Sequence, residues 1–132
     1  MQRKNFSSGT LWESTVGYSR AVRIGDFVYV SGTTSTDKEG KIAGIGNSYL
    51  QTIQIIKKIE TALQALDARL KDVVRTRIYV TDINNWEKVG KAHAEFFKEI
   101  HPACTLVEVR SLITPKILVE IEADAIIMDL KI

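Results

Sequence analysis

The spacing of apolar and polar positions divides the chain into elements of two periods. Ala21 to Ile24 and Phe27 to Ser31 are short strand-like runs. Gly25-Asp26 between them suits a two-residue hairpin, because glycine accepts positive φ without a steric penalty. Thr33 to Asn47 is polar and contains Gly40, Gly44 and Gly46, which reads as a loop ending on a helix N-terminus at Asn47 or Ser48. Gly44 and Gly46 are read as plain loop in preference to an anion-binding nest, since so short a motif carries little weight.

Leu50, Ile53, Ile56, Ile59, Leu63, Leu66 and Leu70 then recur every three or four residues. That period predicts an amphipathic helix of roughly six turns. Val74, Thr76, Ile78 and Val80 alternate with Arg75, Arg77 and Tyr79, the period of a strand with one apolar and one charged face. Asp82, Asn84 and Asn85 offer caps for a second helix whose inner stripe is Trp86, Val89, His93, Phe96 and Ile100, with Pro102 as its stop. A strand from about Cys104 to Val109 follows, and a last strand runs from about Ile117 to Ile127. In that last strand Val119, Ile121, Ala123 and Ala125 occupy one face, and Glu120, Glu122 and Asp124 the other.

The order hairpin, helix, strand, helix, strand, strand predicts an α+β fold, a mixed sheet with both helices on its apolar face. The opposite face is expected to carry Arg75, Arg77, Glu108, Glu120 and Glu122, with Tyr79, Leu106 and Leu118 among them. Apolar groups mixed into a charged face point to cover by another subunit.

Composition narrows the function. A length of 132 residues predicts a single domain, 1–132. The 18 basic and 16 acidic residues are scattered, so there is no basic stripe to neutralise a run of phosphates and nucleic acid is a poor candidate partner. No apolar run reaches the length of a membrane helix. Met1 to Ser14 lacks the apolar core of a signal peptide. One cysteine and two histidines give no internal disulfide and no metal-ligand spacing, which suits a reducing cytoplasmic compartment.

Four ordered blocks carry a resemblance. Gly17-Tyr18-Ser19-Arg20-Ala21 with Val28-Tyr29-Val30-Ser31-Gly32, then Asp72 through Asp82, then Pro102-Ala103 through Val109, then Val119 through Ala123 together resemble the signatures of the reactive intermediate deaminase (RidA, YjgF-like) family. The resemblance implies a chorismate-mutase-like fold and a homotrimer around a central barrel, with a small-molecule cleft at each subunit boundary. It also implies cofactor-free hydrolysis of enamines and imines to a keto compound and ammonia.

Site residues follow from the same resemblance, position by position. Glu120 matches the glutamate that positions the attacking water as a general base. Tyr18, Ser31 and Asn84 match substrate-binding positions in the cleft. In the family's imine hydrolases an arginine follows Pro-Ala and grips the substrate carboxylate with two parallel hydrogen bonds. Here that position is Cys104, which places the chain in a branch without the anchor. Loss of about 3 kcal/mol of anchoring weakens binding more than a hundredfold, so Arg20 and Arg110 become candidates for a substitute guanidinium.

Each of these residues also has a simpler reading. Cys104 is read as a small apolar side chain at a strand start in preference to a nucleophilic or redox-sensitive thiol. Glu122 and Asp124 are expected to pair across strands with Arg75 or Arg77. His93 on an apolar stripe is expected to be a packed, hydrogen-bonded histidine, and Trp12 and Trp86 packing residues. Three functions stay open at this point: a hydrolase of small enamine, imine or related carbon-nitrogen compounds, a non-catalytic trimeric small-molecule binding protein, and a relative acting on RNA.

Overall fold

The computed structural model describes residues 1–128. Six strands form one sheet in the order β1-β2-β3-β6-β4-β5. They are β1 (Arg3–Phe6), β2 (Ala21–Ile24), β3 (Phe27–Thr33), β4 (Val73–Val80), β5 (Ala103–Glu108) and β6 (Val119–Ile126). All neighbours are antiparallel except β4 and β5. The helices are α1 (Leu11–Val16), α2 (Ser48–Ala65) and α3 (Trp86–Phe97), with single 3-10 turns at Leu70–Asp72 and Ile83–Asn85.

The predicted elements are present. Gly25, at φ 59°, makes the two-residue turn that sets Ile24 opposite Phe27. Asn47 caps α2, its side-chain oxygen accepting from the Leu50 N–H at 2.9 Å. β6, last in the chain, lies in the middle of the sheet between β3 and β4. Its alternation decides both faces: Val119, Ile121, Ala123 and Ala125 are buried against α2 with Val28, Val30, Ile78 and Val80.

Several details differ from the sequence reading. β1 and α1 fall in the segment read only as polar, because four residues of strand and six of helix are too short to show a period. α2 ends at Ala65, with Leu66 as its cap and Asp67 at φ 62°, so Leu70 belongs to the following 3-10 turn. Leu50 is 45% exposed, while Ser48, Gln51 and Thr52 occupy the buried face in its place. Gln51 is accommodated there because its amide donates to the Gly44 and Lys116 carbonyls and accepts from Leu118 N–H.

α3 ends at Phe97, ahead of Pro102. Trp86, at its first turn, is 56% exposed, and the inner stripe is Val89, Ala92 and Phe97. Leu106 and Glu108 prove to lie in the rows of Ile78 and Val80, which face the helices, so the open face carries Thr105 and Val107 from β5. Leu118 packs against the core.

The open face does hold mixed chemistry. Arg77 reaches Glu122 at 3.4 Å and Asp124 at 3.3 Å, and around this pair Phe27, Tyr29, Val74, Val107 and Ile126 are exposed. A slip of register between Val73 and Arg75 turns both Val74 and Arg75 outward. No helix among the described residues is long and apolar enough to cross a membrane.

The buried row predicts where the fold is sensitive. Ile59→Ala, at a side chain fully out of water, is expected to cost about 2–5 kcal/mol in urea unfolding. Ile45→Ala, at a 63% exposed position, is expected to change stability by less than about 0.5 kcal/mol.

Candidate functional site

β3 and β6 run in register from Phe27 opposite Ile126 to Val30 opposite Ala123, then slip before Thr33 meets Ile121. The slip frees space beside Gly32, and Glu120 enters it. A side-chain carbon at position 32 would lie 2.1 Å from a Glu120 carboxylate oxygen, so glycine here is a condition of the glutamate's position. Thr33 Oγ1 steadies the irregular backbone by donating to the Ser31 carbonyl at 2.7 Å.

Glu120 shares a cavity of about 240 Å³ with Trp12, Val16, Tyr18, Arg20, Gly32, Thr34 and Ile113. That is the volume of roughly eight waters at ~30 Å³ each. α1 brings Trp12 and Val16 to one side, and the segment entering β2 brings Tyr18 and Arg20. Arg20 is only 4% exposed. Its Nη2 donates to the Gly32 carbonyl at 2.5 Å, its guanidinium lies 5.5 Å from the centre of the Tyr18 ring, and its Nε has no hydrogen-bond partner among the described residues.

Electrostatics distinguish Glu120 from its neighbours on β6. Glu122 and Asp124 are paired with Arg77, whereas no ion pair within 4.0 Å holds Glu120 among the described residues. Burial pushes the Glu120 carboxyl above the usual carboxylate range; Arg20 pulls it down and Glu122 adds to the rise. Tyr79 is raised too, first by burial and then by its hydrogen bond to Glu122.

A second charged group lies behind the cavity. Lys58 on α2 donates to the Thr34 and Thr36 carbonyls at 2.6 and 2.7 Å. Burial first and the Arg20 charge second bring its ammonium down to about 8. Glu13, buried at 4% exposure, accepts from Ser7, Ser8 and Thr10 side chains and from Ser8 N–H. Burial opposes its charge, but these donors outweigh it and hold the carboxyl at about 2. Glu13 thereby ties the start of α1 to the segment after β1.

The residues singled out in the sequence are distributed as follows. Tyr18, Glu120 and Arg20, one of the two candidate substitute guanidiniums, line the cavity together, whereas Arg110 is exposed and not among its lining residues. Ser31 is next to it, with its hydroxyl donating to the Ser19 carbonyl at 2.7 Å and its N–H to the Arg20 carbonyl, so it fixes the backbone that presents Tyr18 and Arg20. Asn84 is exposed in the 3-10 turn capped by Asp82. Cys104 is exposed on the edge strand β5, in the row of Thr76 and Ala123. That row faces the helices, opposite the face that Glu120 occupies, so one chain does not bring Cys104 or Asn84 to Glu120.

His93 shares a 2.9 Å hydrogen bond with Thr76 Oγ1 and stacks 4.5 Å from Phe97, and burial lowers its pKa. It is a packed histidine. Trp12, Val16, Thr34 and Ile113 were not legible as site residues. The only sequence signal was the Trp12/Val16 spacing of four, and nothing marked Ile113, which reaches the cavity from an irregular loop. Among the described residues no group of three His, Cys, Asp or Glu side chains is arranged to hold a metal ion.

A model of the family described as Endoribonuclease L-PSP matches residues 10–127. The chain belongs to this RidA/YjgF-like family. A RutC family protein of Pyrococcus horikoshii is 38% identical over 110 residues, covering 82% of this chain and 85% of that protein. An uncharacterized protein of Streptomyces coelicolor is 34% identical over 122 residues, 92% of this chain and 90% of its own. Among solved structures, Mycobacterium tuberculosis Rv2704, a member of the YjgF/YER057c/UK114 family, is 50% identical with a TM-score of 0.87, covering 96% of this chain and all of that one. The mixed α+β sheet described above is thus the fold of RidA/YjgF-like structures.

Two outcomes test the site's geometry and electrostatics. Gly32→Ala is expected to fold with only a small loss of stability, because the group in its way is the end of a flexible side chain. A crystal structure of that variant should show the Glu120 carboxylate swung out of the cavity.

For pH, the folded Glu120 holds its proton to higher pH than the unfolded chain does, so its ionisation costs stability as pH rises above the ordinary carboxylate range. Glu120→Gln is therefore expected to be more stable than wild type at pH 7, with the gain vanishing below about pH 4, where both states are protonated. Glu13 has the opposite sign. Its stabilisation is present above its unfolded pKa and lost as pH falls towards about 2, so Glu13→Gln should be less stable at pH 7 and converge on wild type in strong acid. Urea unfolding across pH measures both.

Proposed function

We propose that this protein hydrolyses a small activated carbon-nitrogen compound, an enamine, an imine or a close relative, at the Glu120 cavity. The observation that carries the reading is the carboxylate of Glu120, half-buried, without an ion-pair partner among the described residues, and raised in basicity by burial. A carboxylate so placed is a proton acceptor for a water held against a bound C=N carbon. Glu120 takes the proton of the attacking water as the C–O bond forms and returns a proton to nitrogen. The carbinolamine then loses ammonia as the carbonyl forms. An enamine enters the same sequence after protonation at carbon. Tyr18 and Trp12 wall the substrate. These steps need no metal or cofactor.

The family resemblance and the open sheet face support a homotrimer, in which a cytoplasmic protein of this kind would cover Phe27, Tyr29, Val74 and Val107 and form its clefts between subunits. On that reading, Asn84 and Cys104 reach the Glu120 cavity from a neighbouring copy, with Ser31 holding the opposite wall. Cys104 stands at the position of the family's anchoring arginine, and this favours a second reading, a trimeric binding protein with the cleft but no hydrolysis. The RNA cleavage that the family's description names has little support here, because Arg77 is already balanced by Glu122 and Asp124.

An assay separates these readings. With 2-aminoacrylate or iminopropionate generated by an auxiliary enzyme, the protein is expected to accelerate keto-acid formation, and Glu120→Gln to lower that rate about 10²–10⁴-fold. Activity unchanged in Glu120→Gln would remove the glutamate from the mechanism. No acceleration with wild type and a gain with Cys104→Arg would favour the binding-protein reading.

A further inference from the structure

The cavity contains a buried cation without a counter-ion among the described residues. Arginine stays protonated under all ordinary conditions, and buried charges in proteins are normally paired. Arg20 is more than nine-tenths buried, yet no carboxylate lies within 4.0 Å of it among the described residues. Its contacts are one carbonyl, that of Gly32, and the face of Tyr18, and its Nε is an orphan donor. Glu120, the acid in the same cavity, is close enough to feel the charge and too far to pair with it. Lys58 adds to the positive surroundings, since the Arg20 charge contributes to its lowered pKa.

The rest of the lining is of a different kind. Trp12, Val16 and Ile113 form an apolar wall, and Val16 and Ile113 are 73% and 62% exposed. The Thr34 hydroxyl is engaged with Thr36 at 2.8 Å, and the Thr34 carbonyl with Lys58. A guanidinium, an indole and two aliphatic side chains in one lining describe an amphipathic monoanion, in a volume that holds a carboxylate and about one ring.

We infer that Arg20 is the anion anchor of the cavity, and that its ligand is a small carboxylate whose apolar or aryl arm lies against Trp12, Val16 and Ile113. This deepens the proposed function, resting on the same cavity, but it assigns binding to a residue other than the one at position 104 and adds the apolar arm as a requirement. The carboxylate meets the part of the guanidinium that Arg20 turns to the cavity, since the Nε is itself enclosed, and Glu120 is left to act on the reacting carbon.

Benzoate is the probe, with benzyl alcohol as its neutral counterpart and acetate as the head group alone. Trp86→Phe leaves Trp12 as the single indole reporter. The Arg20 Nε–H resonance in ¹⁵N-labelled wild type, assigned by its loss in Arg20→Lys, reports on the guanidinium to which it belongs. Benzoate is expected to change Trp12 fluorescence saturably and to shift the Arg20 resonance. Benzyl alcohol, and benzoate with Arg20→Met, should bind roughly tenfold to a hundredfold more weakly, and acetate more weakly than benzoate.

Benzyl alcohol binding as tightly as benzoate, or benzoate leaving the Arg20 resonance in place, would overturn the anchor. Acetate equal to benzoate would overturn the apolar arm. Should Arg20→Met fail to fold, the wild-type resonance still decides. Glu120→Gln separates this inference from the hydrolytic reading, because it should abolish hydrolysis while still binding benzoate. Hydrolysis without the benzoate response overturns the anchor alone, and the benzoate response without hydrolysis overturns the chemistry alone.

Discussion

The alternation of β6 is the constraint on which the molecule depends. Its position between β3 and β4 makes every second residue a core residue of the whole sheet, and Val119, Ile121, Ala123 and Ala125 are all essentially out of water. Period two leaves no freedom for the others: Glu120, Glu122 and Asp124 must project from the opposite face. A one-residue slip would drive three carboxylates into the apolar layer. The packing against α2 therefore fixes where the acids stand, and the same free energy that assembles the core holds the candidate base in place.

Three acids on one strand face nonetheless acquire different characters. Arg77 on β4 draws Glu122 and Asp124 into ion pairs. These are half-exposed, so their value lies more in orienting charge than in stability. Glu120, at the start of the strand, is beyond the reach of that cation and instead occupies the opening left by the register slip at Gly32. A local irregularity in the ladder thus does what regular pairing cannot, separating one carboxylate from its row and enclosing it. Irregularities of this kind recur beside functional sites because they re-aim a side chain at small cost to the sheet.

Long periodic segments were legible from the chain because many residues vote for one period. α2, α3, β4 and β6 and the hairpin of β2 and β3 were placed to within a few residues. Leu50 and Trp86 show the limit, since burial was assigned by hydrophobicity whereas Gln51 and Thr52 are buried by hydrogen bonds that no periodicity displays. The rows of β5 were misassigned for a related reason: at a sheet edge a side chain can face the helix layer and still be exposed, as Glu108 does. Three members of the cavity were legible in the sequence, Tyr18 and Glu120 through the signature blocks and Arg20 as a candidate substitute guanidinium. The apolar wall was not, because Trp12 and Ile113 come from a six-residue helix and an irregular loop, where convergence is purely tertiary.

The position of Arg20 follows from neighbouring elements in the same way. Ala21 enters the core as the first residue of β2, and Ser31 holds the segment before it, its N–H and hydroxyl donating to the Arg20 and Ser19 carbonyls. With the backbone fixed on both sides, the guanidinium is carried inward between the Gly32 carbonyl and the Tyr18 ring. Burying a cation there without an ionic partner opposes folding, and the fold tolerates it because strands β2, β3 and β6 are over-determined by the core. A charge held in place by packing, close to a carboxylate it does not neutralise, is preorganised electrostatics of the kind that ligand binding and catalysis exploit. The cost falls on the free protein, and a complementary anion relieves it on binding.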